Sequence, residues 1–100
     1  MKVFDLKTIA SHSYEERDKN VFYRQNAFKM RIIELPAGGE MPECRMESFV
    51  IFYVVSGEAE VCVDQKTIRL AEGQCLITEP ATLSMKAESG VRMLGVQIQK

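Results

Sequence analysis

The sequence has one histidine, His12, no surplus of positive charge and no long apolar run, and each shortage removes a class of function. Thirteen Lys and Arg stand against fourteen Asp and Glu, for a net charge of -1. A protein that grips nucleic acid by neutralising phosphates needs a basic surplus or stripe, so no nucleic-acid partner is expected. The longest apolar run, Phe49 to Val55, holds seven residues. A membrane-spanning helix needs roughly 20, so no membrane partner is expected either. Asp5 falls where a signal peptide would carry its apolar region, which argues against export. Cys44, Cys62 and Cys75 are 18 and 13 residues apart, with no Cys-x-x-Cys pair. An odd count without a tight framework reads as reduced thiols and a cytoplasmic location. Glycine and proline are absent before residue 36, and no segment carries a sustained helical stripe, an internal repeat or low-complexity sequence.

What is there is one ordinary globular domain. The chain has 100 residues, 46% hydrophobic and 27% charged, and a second domain would be too small to bury its own core. After Leu35, Gly and Pro punctuate short stretches rich in Val, Ile, Phe and Tyr, at the spacing of an all-β sandwich or barrel. Asn20 to Gln25 is the first candidate strand and Ala27 to Leu35 the second. In the second, Phe28, Met30 and Ile32 alternate with Lys29 and Arg31, the pattern of a strand with one buried face. Cys44 to Ser56 follows, and its Phe49 to Val55 portion is apolar on both parities, so both faces must be covered. Ser56-Gly57-Glu58 reads as its end. Ala59 to Val63 and Thr67 to Leu70 flank a hairpin turn at Asp64-Gln65-Lys66. Gln74 to Thr78, Thr82 to Ala87 and Val91 to Ile98 complete the set. Thr8 to Asp18 reads as a polar surface loop or a single short turn.

From Leu35 onward the chain resembles the cupin superfamily of small β-barrels. Leu35-Pro36-Ala37-Gly38-Gly39-Glu40-Met41-Pro42-Glu43 is similar to the approach to the family's His-x-His pair. Phe52 to Val61 is similar to the strand and turn that close the first motif. Gly73-Gln74-Cys75-Leu76-Ile77-Thr78-Glu79-Pro80-Ala81 follows the rhythm of the second motif, after the hairpin Val63 to Leu70. The resemblance implies an all-β, double-stranded β-helix or jelly-roll barrel spanning 1–100. Residues 1–34 would supply N-terminal strands and a polar loop, and 35–100 the conserved barrel.

The resemblance also implies four metal ligands, three His and one Glu. Counting five residues past Gly38 puts the paired histidines at Cys44 and Met46. Counting back from Gly57 puts the glutamate at Val50, and counting on from Gly73 puts the last histidine at Ser84. Valine donates nothing and a protonated serine hydroxyl is a poor ligand, so the expectation is a barrel with no metal and no other cofactor.

The inward positions then form a ligand pocket from Cys44, Met46, Ser48, Val50, Phe52 and Ser84. Its polarity suits a small organic ligand that is partly hydrophobic, bound by a sensor, carrier or accessory protein. Two alternatives stay open. One is a metal-independent isomerase or lyase acting on a sugar-like or small organic substrate, which would need a positioned acid and base. The other is a soft copper(I) site on Cys44 and Met46, joined by Cys62 or Cys75 if either faces the same interior. A barrel serving only as an oligomerisation unit is a third. His12, between Ser11 and Ser13, reads as an exposed loop residue. Glu43, Arg45 and Glu47 read as a solvated rim, and Lys86 as a side chain snorkelling to the edge or reaching an anionic ligand. Phe49, Ile51, Tyr53 and Val55 point away from the pocket and form an apolar stripe, for which a homodimer is the expected cover.

Overall fold

The computed structural model describes residues 1–99. After an irregular N-terminal stretch and a 3-10 helical segment at Tyr14–Asn20 come eight strands. They are β1 (Val21–Arg24), β2 (Phe28–Leu35), β3 (Gly39–Met46) and β4 (Phe49–Val63), then β5 (Lys66–Ala71), β6 (Cys75–Thr78), β7 (Ala81–Ala87) and β8 (Val91–Ile98). Their order is β1-β2-β8-β4-β7-β3, with β5 and β6 also paired to β4, and every pairing is antiparallel.

β4 is the hinge of this architecture. Its first half pairs β8 and β6 in one sheet, and its second half pairs β5 and β7 in the other. The strand therefore does not stop at Ser56-Gly57-Glu58 but bends there, through a bulge between Val54 and Ser56. Bulges sharpen local twist and let one strand serve two sheets. Gly57 has φ +80°, and a Cβ there would lie 2.3 Å from the Gly90 carbonyl oxygen, so the corner needs glycine on two counts. The β4–β5 turn is at Asp64 and Gln65, both at positive φ (47° and 73°), the hand that matches strand twist. Asp64 secures it by accepting from the Thr82 N–H at 3.0 Å.

The inner faces of the two sheets meet in a single core. Val54, Val61, Leu83, Met85 and Met93 are almost completely removed from solvent there. Ile32 is also fully buried, but outside this core, on the outer side of β2. That outer side faces the N-terminal stretch. Arg92, opposite Glu34 on the outer side of β8, donates to the carbonyls of Leu6 and Ile9 and to the Glu34 carboxylate. The Phe4 and Phe22 rings meet edge to face at 4.7 Å. The polar Thr8 to Asp18 region ends in the 3-10 segment, which Asn20 holds. The Asn20 side chain accepts from the His12 N–H at 2.7 Å and donates to the His12 carbonyl at 3.0 Å.

Candidate ligand-binding site

The barrel interior is not completely filled: beside the core lies a cavity of about 200 Å³. Val50 and Phe52 of β4 form its floor together with Leu83 of β7. Met41, Cys44 and Met46 of β3 form one side. Met41 and Cys44 are three residues apart and should face opposite ways, but a bulge between them resets the parity. Cys44 and Met46 then project together, the thiol donating to the thioether at 3.5 Å. Gly95 of β8 leaves the room that this packing requires. A Cβ there would sit 3.2 Å from Ile33 Cδ1 and 3.4 Å from Arg31 Cγ, with Phe52 Cε1 at 3.6 Å.

The opposite wall is polar and positive. Lys29 and Arg31 of β2 line it with Gln97 of β8, and Tyr14, Arg17 and Asp18 of the 3-10 segment reach its mouth. Arg31 is half-buried, and its Nη2 donates to Gln97 Oε1 at 3.0 Å. Burial lowers the pKa of the Arg31 guanidinium, Asp18 partly opposes that, and Arg17 and Arg24 add to it. Lys29 is also lowered, by burial first and then by Arg31 and Arg24. Arg17 lies over the Tyr14 ring, 4.2 Å from its centroid, and donates to the Tyr14 carbonyl at 2.9 Å.

Of the six residues expected in a pocket, the structure brings Cys44, Met46, Val50 and Phe52 to this cavity. Ser48 is buried in the β3–β4 turn but does not line it. Ser84 is displaced from its expected place. On β7 the buried inward residues are Ala81, Leu83, Met85 and Ala87, so Ser84 faces outward, beside Cys62 and Glu43. Counting five positions from Pro80, rather than on from Gly73, reaches Met85, which does face inward. Lys86 is on the outer surface too, opposite Glu60. His12 is exposed, and Arg45 and Glu47 pair with each other at 3.1 Å on the surface. The alternation in β2 sets Lys29 and Arg31 on its polar face, and in the barrel this face points inside.

The donor set does not fit the metal that the fold family implies. The four relevant positions carry Cys44, Met46, Val50 and Met85, with no imidazole and no carboxylate. Among the described residues no cluster of three or more His, Cys, Asp or Glu could hold a metal ion. Cys62 faces the outer groove with Ser84, and exposed Cys75 pairs with Tyr53 on the outer side of β4. Neither joins the sulfurs of Cys44 and Met46.

The Cupin domain family matches residues 31–83, and the chain belongs to that family. The barrel is similar to that of the TT1209 protein from Thermus thermophilus, at 22% identity and TM-score 0.82, covering 98% of this chain and 97% of that one. It is also similar to an uncharacterised conserved protein with a double-stranded β-helix domain from Klebsiella pneumoniae subsp. pneumoniae. There the identity is 17% and the TM-score 0.84, over 98% and 90% of the two chains. The cupin domain of Schizosaccharomyces pombe Cnp3 is 24% identical with TM-score 0.71, over 80% of this chain; this chain spans only 61% of that one. No curated protein matches the sequence. Among the described residues no helix is long and apolar enough to cross a membrane.

Proposed function

We propose that this cupin binds a small organic molecule in its barrel cavity, as a sensor, carrier or accessory protein, without the imidazole–carboxylate metal of its fold family. The observation that carries this reading is the cavity itself: about 200 Å³, floored by Val50, Phe52 and Leu83 and walled on one side by polar groups. Ligand sites have this composition, a mostly apolar surface with a few placed polar atoms. A cavity of ~150 Å³ already admits a benzene-sized guest, so the volume suits one ring or a short branched chain. Asp18 and Lys29 line the cavity among the cations Arg17 and Arg31, an arrangement suited to holding charge.

The protein acts as a single domain and as a homodimer in a reducing, cytoplasmic setting. Phe49 and Tyr53 are more than a third exposed, and Ile77 is 63% exposed. Across four strands Met30, Val96, Ile51 and Ile77 align in one apolar row on the outer side. A two-fold partner using the same face would bury it.

A thermal-shift screen of small aromatic and alicyclic fragments tests the cavity reading. Fragments should stabilise the wild-type chain, and Val50→Phe, which fills the floor, should remove that stabilisation. Equal stabilisation of both proteins would contradict the reading.

A further inference from the structure

The chain has two arginines that leave the surface, and it treats them differently. Arg92, only 11% exposed at its side chain, pairs with Glu34 at 2.8 Å and donates to two backbone carbonyls. Arg31 is in none of the ion pairs among the described residues, which join Lys19–Glu16, Arg45–Glu47, Arg69–Glu58 and Arg92–Glu34. Its side-chain hydrogen bond goes to a neutral amide, Gln97. A guanidinium carries five N–H donors in a fixed fork, so most of Arg31's remain to be used. Charges withdrawn from water are normally paired, because desolvation penalises an unpaired charge.

The surroundings compound the imbalance. Lys29 and Arg17 line the same cavity, and Asp18 is the one carboxylate that does. The positive wall is a local arrangement, since the whole chain carries -1. Across the cavity the floor offers no charge at all: Val50, Phe52 and Leu83 are apolar.

Resting on the reading of this cavity as a ligand site, we infer that its ligand is a small organic carboxylate, held head-first by Arg31 with Lys29 beside it and with its compact apolar body on Val50 and Phe52. The planar fork of arginine matches the two oxygens of a carboxylate, which a lysine point charge does not. Gln97 acts as a positioning residue, holding one edge of the guanidinium so that the other edge faces the cavity.

Benzoate, its neutral analogue benzyl alcohol and inorganic phosphate separate the parts of this inference. Each is titrated into protein carrying labelled methionine methyls, with the shifts of Met41 and Met46 as the readout. Benzoate should bind at least tenfold more tightly than benzyl alcohol, and phosphate alone should leave both methyls unmoved. Arg31→Gln should erase the preference for benzoate while retaining benzyl alcohol binding, and Arg31→Lys should restore only part of it. The wild-type comparison stands even if Arg31→Gln does not fold. Equal binding of benzoate and benzyl alcohol overturns the carboxylate assignment and leaves the cavity reading intact. Phosphate binding as tight as benzoate overturns the role of the apolar floor. No shift from any probe overturns both readings.

Discussion

The thiol of Cys44 donates to the thioether of Met46 at 3.5 Å, where two residues of one strand share the inside of the barrel. The pair stands where the family resemblance implies two histidines, and it is isolated, because Cys62 and Cys75 face elsewhere. Two soft donors without imidazole or carboxylate are a poor set for iron, manganese, nickel or zinc. Elemental analysis of gently purified protein should therefore find none of these at stoichiometric level. One equivalent lost on Cys44→Ser but kept on His12→Ala would contradict this account. Copper(I) under reducing conditions should be removed by a competing chelator as readily from wild type as from Cys62→Ser or Cys75→Ser.

The corner of β4 gives a stability prediction with an internal control. Gly57 and Gly73 both have positive φ (80° and 83°), but only Gly57 is pressed against another backbone. Gly73→Ala should cost about 1 kcal/mol, the ordinary penalty for a side chain in the left-handed region. Gly57→Ala adds a clash with Gly90 and should cost about 3 kcal/mol. Urea denaturation of both variants checks the order, and equal losses would refute the argument.

Lys29 makes stability depend on alkaline pH. Burial, with Arg31 and Arg24, holds its pKa below the usual lysine range. Between that lowered value and the unfolded value near ~10.4, the unfolded chain binds more protons at this group than the folded one. Stability from this group therefore rises with pH across that window. Lys29→Met should be more stable than wild type at pH 8, and the gap should narrow as pH climbs towards ~10.4. Parallel stability curves would show that the ammonium carries no such penalty.

The apolar row on the outer sheet face predicts a dimer. Sedimentation at micromolar concentration should give twice the 11.4 kDa chain, and Ile77→Glu should shift it towards monomer. A clean monomer for wild type would mean that the N-terminal stretch is cover enough.

Much of this was legible in the residues. The unbroken apolar run Phe49 to Val55 required cover on both faces, and it lies at the centre of a sheet with Val50, Phe52 and Val54 in the interior. Cys44, Met46 and Val50 are the positions reached by counting along the motif that the family resemblance implies, and they line the cavity with Phe52. Three features were not legible, each for a physical reason. Ser56-Gly57-Glu58 carries turn chemistry, and only the pairing of both halves of β4 reveals a bulged corner. Alternation in β2 defines two faces but not which one points inside, so Lys29 and Arg31 read as solvated. A count from Gly73 is one residue out of step with Pro80, which is enough to exchange Ser84 for Met85 across the strand.

Native mass spectrometry of freshly purified protein asks whether the barrel holds an organic ligand. The folded chain should carry a small organic molecule, lost on denaturation, or take up benzoate one to one when purified empty. A retained metal ion, or a chain that stays bare after incubation with benzoate, would contradict it.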